Sequence, residues 1–164
     1  MKNKAIFLDR DGVINKERGA YTYLPEDFEL NHGLLENLWR LQRAGFLLVV
    51  VSNQSGIAKG LYKEADALRL HEMFLAACRE KSIEIAAFYF CPHHPDSGQC
   101  LCRKPGSLMI EKALARFDVD AGKSFLIGDR ERDVRAAEAV GVKGILVASN
   151  EDITAVTNRI LQAS

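Results

Sequence analysis

The chemistry in this chain is concentrated at four short polar stretches. Asp9 and Asp11 sit two residues apart in Asp9-Arg10-Asp11-Gly12, where the apolar run Ala5–Leu8 stops. Ser52-Asn53-Gln54-Ser55-Gly56 follows the apolar run Phe46–Val51. Arg103 and Lys104 are adjacent, and Gly128-Asp129-Arg130-Glu131-Arg132-Asp133 follows Ser124–Ile127. Each stretch has an ordinary reading taken singly: a solvated Asp-Gly turn, a strand-to-helix turn, a basic dipeptide, and acids at a helix N-terminus. As an ordered set they are the parts of a phosphoryl-transfer site. They supply a carboxylate nucleophile, a hydroxyl and turn amides that cradle an anion, a cation, and further carboxylate for magnesium.

A second constellation lies in Cys91-Pro92-His93-His94-Pro95-Asp96-Ser97-Gly98-Gln99-Cys100-Leu101-Cys102. Three of the four cysteines fall within twelve residues, a density that points to metal rather than disulfides. Cys91, His93, Cys100 and Cys102 make a Cys3His tetrahedral set of the kind that holds structural zinc, with His94 the competing histidine. Such a closed set leaves no position for substrate. Its use here is mechanical: it aims the Arg103 and Lys104 that follow it. Cys78 lies in an apolar helical stripe and reads as core.

These residues need a scaffold, and the intervening sequence supplies one. Strand-like runs at Ala5–Leu8, Phe46–Val51, Ala86–Phe90, Ser124–Ile127 and Gly144–Val147 are short and largely apolar, as strands covered on both faces should be. Helical stripes lie between them. They are Leu34/Leu38/Leu41 ending at Gly45, Leu70/Phe74/Leu75/Cys78, Ile110/Ala113/Leu114/Phe117, and Ala136/Ala137/Val140 ending at Gly141. The tail Ile153–Leu161 reads as a fifth helix. The expected fold class is α/β, an open parallel sheet of about five strands with helices on both faces. Ligands of such sheets bind beyond the carboxyl ends of the strands, so the polar stretches should share one edge.

Composition sets the remaining bounds. At 164 residues the chain suits a single domain, 1–164, with a zinc-binding loop 91–104. Hydrophobic residues are 48% and charged residues 27%, which excludes disordered and collagen-like classes. Lys+Arg and Asp+Glu are both 22, so bulk attraction to nucleic acid or an anionic membrane is not expected. No apolar run approaches the ~20 residues of a membrane span, and Ala5–Leu8 is too short for a signal-peptide core. A cytoplasmic location and a monomer are expected.

The four polar elements together resemble the motifs of the haloacid dehalogenase-like (HAD) phosphatase superfamily. Asp9-x-Asp11-Gly12 is similar to its first motif, Ser52 to its second, Lys104 to its third, and Gly128-Asp129-x-x-x-Asp133 to its fourth. The resemblance implies that Asp9 attacks phosphorus to form an aspartyl-phosphate. Asp11 would protonate the leaving alcohol and then deprotonate water. Asp9, the Asp11 backbone carbonyl and Asp129 would hold Mg2+, while Ser52 and Lys104 hold the transferring oxygens. Asp133 would be a supporting acid toward the metal water or Lys104. The Cys-Pro-His-His-Pro element ahead of Cys-x-Cys-Arg-Lys-Pro resembles a branch that acts on heptose bisphosphates and histidinol phosphate. By that resemblance Glu17, Arg18, Gly19, Ala20, Ser52, Asn53, Gln54, Ser55, Arg103, Lys104 and Arg130 contact a small phosphorylated sugar. Arg103 would read a second phosphate. The heptose product would feed heptose nucleotide synthesis for surface polysaccharide.

Only 42 residues separate Asp9 from Ser52, and 51 separate Ser52 from Lys104. Neither interval has room for a lid domain, so little or no cap is expected. A phospho-accepting receiver module is the non-enzyme alternative, but receivers place the accepting Asp after the third strand, and here that strand leads into Cys91. A zinc-stabilised nucleic-acid-binding domain conflicts with the charge balance, and the absence of a cap disfavours a phosphomutase.

Overall fold

The computed structural model describes residues 1–164, the side chain of Ser97 excepted. Strands and helices alternate along the chain: β1 (Lys4–Leu8), α1 (Leu34–Arg43), β2 (Phe46–Asn53), α2 (Glu64–Glu80), β3 (Ala87–Cys91), α3 (Leu108–Arg116), β4 (Phe125–Gly128), α4 (Glu131–Glu138), β5 (Lys143–Leu146) and α5 (Thr154–Ala163). The five strands form one sheet in the order β3-β2-β1-β4-β5, and every neighbouring pair is parallel.

Side-chain alternation along the central strands divides the core into two layers. Ile6, Leu8, Leu48 and Val50 face one layer, closed by Leu34, Leu38 and Leu41 of α1, Phe74 and Cys78 of α2, and Val156 and Ile160 of α5. Ala5, Phe7, Val49 and Val51 face the other, closed by Met109, Ile110 and Ala113 of α3 and by Ala136 and Ala137 of α4. Both faces of the sheet are therefore covered, which is why β1 and β2 read as continuous apolar runs. Each such Leu or Ile removed from water contributes about 1.5–3 kcal/mol relative to an exposed one.

Strand order fixes the site. The chain winds outward from β1 to β2 and β3 on one side, then returns to β4 beside β1 and continues to β5. The β1/β4 boundary is thus the switch point where the loops diverge and open a crevice. Leu8 pairs with Ile127 across that boundary. The residues that follow, Asp9 and Asp129, consequently emerge side by side. No separate lid domain is present among the described residues. The β1–α1 connection carries a single 3-10 turn, Pro25–Asp27, and the isolated bridges Asp11–Asn15 and Asn15–Leu30.

Candidate active site and metal cluster

Asp9 sits at the bottom of the crevice with Lys104 above the β2 end. Lys104 is 2% exposed. Its Nζ lies 2.9 Å from Asp9 Oδ1 and 2.6 Å from Asp133 Oδ1, and it donates to the Val51 carbonyl at 2.9 Å. The Lys104 backbone is anchored as well. Its N–H donates to Asn53 Oδ1 at 3.0 Å, and its carbonyl accepts from Asn53 Nδ2 at 3.2 Å. Asn53 thus locks the third polar element onto the second.

Carboxylate oxygens of Asp9, Asp129 and Asp133 all lie within 4.8 Å of one another. Burial pushes the Asp9 carboxyl up to about 8, with the Asp133 and Asp129 carboxylates adding to the rise and Lys104 opposing it. The Asp9 and Asp133 carboxylates in turn hold the Lys104 ammonium above its usual range against its own burial. Three acids facing one lysine leave uncompensated negative charge in an all-oxygen cluster. That donor set fits a hard divalent cation such as Mg2+. Two glycines make the crowding possible. Gly12 adopts φ +94°, and a Cβ there would overlap the Asp129 carboxylate. A Cβ on Gly128 would overlap Asp133. Asp129 is oriented by Ser149, whose Oγ donates to Oδ2 at 2.6 Å. Asp133 Oδ2 accepts the Arg130 backbone N–H at 3.0 Å at the start of α4.

Asp11 stands apart from this acid cluster and is gripped by three donors. Arg10 Nη2 (2.8 Å) and Asn15 Nδ2 (2.9 Å) reach Oδ1, and Gln54 Nε2 (3.1 Å) reaches Oδ2. Ser52 is fully buried at the β2 end, where its Oγ accepts from Gln54 Nε2 at 2.8 Å.

Above these groups opens a cavity of about 420 Å3, within the ordinary range for small-molecule sites. Asp9, Asp11, Glu17, Gly19, Ala20, Asn53, Ser55, Arg103, Asp129 and Arg130 line it. Other residues expected at the substrate lie elsewhere. Gln54 is 2% exposed and spends its amide on Asp11, Ser52 and Tyr62 beneath the cavity floor. Arg18 turns outward toward Asp27, 3.5 Å away, because its loop presents Glu17 and Gly19 inward instead. Ser52 and Lys104 also lie below the lining. Tyr21 and Thr22, from the stretch Tyr21–Phe28 that resembles the family's early substrate loop, also line the wall, and sequence reasoning missed His94, Pro95 and Arg132 there. Arg132 was legible in the alternation Arg130-x-Arg132 after Asp129, and His94 in its adjacency to the Cys-His set. The wall is cationic through Arg103, Arg130 and Arg132, whereas the floor is acidic.

The Cys-His loop closes on itself. Cys91, His93, Cys100 and Cys102 present one ligand atom each within 4.8 Å of the others. Cys91 Sγ is 3.3 Å from His93 Nδ1, 3.7 Å from Cys100 Sγ and 2.8 Å from Cys102 Sγ. Cys102 Sγ is 3.2 Å from His93 Nδ1. All four cysteines are free. Burial pushes the Cys91 thiol well up, with the neighbouring thiols adding to the rise. Desolvation also raises Cys100, but hydrogen bonds from the Arg103 backbone and the surrounding sulfurs and histidine bring it down to about 7. Soft thiolates plus one imidazole at these separations could hold Zn2+. His94 is not in the set. Its Nδ1 accepts the Asp96 backbone N–H at 3.1 Å.

A family model described as "HAD-hyrolase-like" matches residues 101–160, the stretch holding Lys104, Asp129 and Asp133. The chain is 40% identical over 161 residues to the D-glycero-beta-D-manno-heptose-1,7-bisphosphate 7-phosphatase of Vibrio cholerae, covering 94% of this chain and 86% of that one. This chain belongs to the D-glycero-D-manno-heptose-1,7-bisphosphate 7-phosphatase family of HAD-like hydrolases. Family members named for the other anomer match equally well. The Burkholderia mallei alpha-anomer phosphatase is 39% identical over 95% of this chain and 85% of its own. A solved family structure, the D,D-heptose 1,7-bisphosphate phosphatase of B. bronchiseptica complexed with magnesium and phosphate, superposes with a TM-score of 0.91. It is 34% identical and covers 98% of this chain and 99% of that one.

Proposed function

We propose that this chain is a Mg2+-dependent phosphatase that removes the 7-phosphate of D-glycero-D-manno-heptose 1,7-bisphosphate through a phospho-enzyme on Asp9. The observation carrying this reading is the Asp9–Lys104–Asp133 contact beside Asp129 at the switch-point crevice. The relatives' names, and the magnesium and phosphate in the solved relative, support it.

In the proposed mechanism an Asp9 carboxylate oxygen bonds to phosphorus while the bond to the sugar oxygen breaks. Asp11, the next acid along the same turn, gives its proton to the leaving alkoxide and then takes one from the water that opens the aspartyl-phosphate. Lys104, whose Nζ contacts the Asp9 carboxylate on the cavity floor, would meet the non-bridging oxygens from below as phosphorus bonds to Asp9, with Ser52 beneath it at the β2 end. Asp9, Asp129 and the Asp11 carbonyl would hold Mg2+, with Asp133 close enough to share that role or to fix Lys104. When bound, the metal offsets repulsion between carboxylate and phosphate.

Glu17, Gly19, Ala20, Asn53, Ser55, Arg103 and Arg130 would bind the sugar bisphosphate, and Arg103 with Arg130 and Arg132 would meet its distal phosphate. A wall of arginines suits a second anion and opposes the cationic amines of histidinol phosphate. Residues 1–164 would act as one domain, with loop 91–104 held by structural Zn2+. No helix among the described residues is long and apolar enough to cross a membrane. With balanced charge, that supports a cytoplasmic enzyme without nucleic-acid or membrane partners.

The test is Mg2+-dependent phosphate release from heptose 1,7-bisphosphate and histidinol phosphate at equal concentration, with Asp9→Asn as control. Preference for the bisphosphate and loss of turnover in Asp9→Asn are expected. Preference for histidinol phosphate would overturn the substrate, and steady-state turnover by Asp9→Asn would overturn the nucleophile.

A further inference from the structure

The buried side of Asp11 is more elaborate than a turn requires. Each carboxylate oxygen offers two lone pairs. Oδ1 is fully used by Arg10 Nη2 at 2.8 Å and Asn15 Nδ2 at 2.9 Å, with Arg10 Nε a further 3.3 Å contact. Oδ2 accepts one hydrogen bond, from Gln54 Nε2 at 3.1 Å. A proton carried by Asp11 therefore belongs on the free lone pair of Oδ2, and Gln54 decides which way that lone pair points.

Gln54 is itself keyed. Its Oε1 accepts the Tyr62 hydroxyl at 2.6 Å, and its remaining N–H donates to Ser52 Oγ at 2.8 Å. With its oxygen committed to a donor, the amide cannot flip without placing an oxygen against Asp11. Burial also holds the Tyr62 phenol well above its usual range, so it remains a donor. Gly56 lets the tyrosine in, because a Cβ there would overlap the Tyr62 ring. Tyr62 stacks on Tyr23, ring centroids 5.1 Å apart, and Arg10 Nη2 also donates to the Thr22 carbonyl at 2.7 Å. The loop forming one cavity wall and the acid beneath it share these anchors.

Building on the phosphatase reading above, we propose that Tyr62 and Gln54 form a positioning relay that presents Asp11 Oδ2 to the leaving-group oxygen. In that step the Oδ2–H bond breaks, the proton passes to the alkoxide as its bond to phosphorus breaks, and Asp11 is left as a carboxylate. Tyr62 touches none of the reacting atoms, and Gln54 meets only the Asp11 oxygen that carries the proton. Their contribution scales with how much the leaving group needs the proton.

Steady-state kcat/KM with Mg2+ should be measured for 4-nitrophenyl phosphate, phenyl phosphate and glycerol 3-phosphate, in order of rising leaving-group basicity. In Tyr62→Phe the loss on glycerol 3-phosphate should exceed that on 4-nitrophenyl phosphate by about tenfold, a fraction of a full general-acid contribution. The excess should reside in kcat. Gln54→Met should steepen the series further and supplies the test if Tyr62→Phe folds poorly. In an Asp11→Asn background the Tyr62→Phe effect should disappear, because the relay acts only through Asp11. Equal losses across the three esters, or undiminished losses without Asp11, would show a purely structural role. A wild-type protein inert toward all three and toward heptose 1,7-bisphosphate would overturn the phosphatase reading and the relay with it; one active on the bisphosphate alone, with Tyr62→Phe leaving its kcat unchanged, would overturn the relay only.

Discussion

Replacing Lys104 with Met removes a buried cation but keeps a side chain of similar length. Lys104 contacts both Asp9 and Asp133 while only 2% exposed. Deleting one member of a buried ion pair typically costs about 3–5 kcal/mol, because the partner charge is left uncompensated. For a domain of this size, about 2–4 °C of melting temperature accompanies each kcal/mol, giving a fall of about 6–20 °C in metal-free protein. The loss should depend on pH. Asp9 is already raised from 3.8 to about 8, and removing the ammonium that opposes this raises it further. An acid with a raised folded pKa binds more protons folded than unfolded, so its contribution fades as pH climbs from about 4 through 8. The deficit should therefore be larger at pH 8 than at pH 5, where protonation of Asp9 relieves the repulsion. Saturating Mg2+ should recover part of it by replacing the missing positive charge. Calorimetric melting of wild type and Lys104→Met at both pH values, with and without Mg2+, measures each term. A shift under 2 °C at pH 8 without metal would refute the claim that Lys104 neutralises this cluster.

Two further outcomes test the supporting structure. On the proposal that Zn2+ holds loop 91–104, its removal by chelation, or by Cys100→Ser, should lower kcat/KM by about tenfold by loosening the loop that delivers Arg103 and Lys104; full activity in protein shown by metal analysis to lack zinc would contradict this. Gly12→Ala introduces a Cβ against the Asp129 carboxylate at φ +94°, so the Mg2+ concentration giving half-maximal activity should rise about tenfold. An unchanged magnesium titration would show that Asp129 does not hold the metal.

The sequence by itself determined the scaffold and which polar groups meet at its carboxyl edge. Apolar runs separated by helical stripes specify a parallel sheet covered on both faces, because strands buried on two sides cannot alternate polar and apolar residues. Polar stretches after β1, β2 and β4, and the basic pair after the Cys-His loop, then had to meet at the carboxyl edge. Cys91, His93, Cys100 and Cys102 were legible for a similar reason: soft ligands at short intervals in a loop have few other uses.

What tertiary structure decided was which way side chains turn once the loops converge. Gln54 lay among the expected substrate contacts, yet it faces inward to Asp11, Ser52 and Tyr62. Tyr62 comes from the end of the β2–α2 loop, and no local pattern links it to Asp11. For Asp133 the family resemblance left two roles, toward the metal water or toward Lys104, and the close pass of Gly128 brings it against Lys104 and beside Asp9. Arg18 and Arg132 exchange expectations in the same way, one leaving for Asp27 and the other joining the cavity wall. Local sequence constrains backbone geometry through sterics and hydrophobic period. The partner of a buried polar atom is set by whatever the rest of the chain brings within about 3 Å of it.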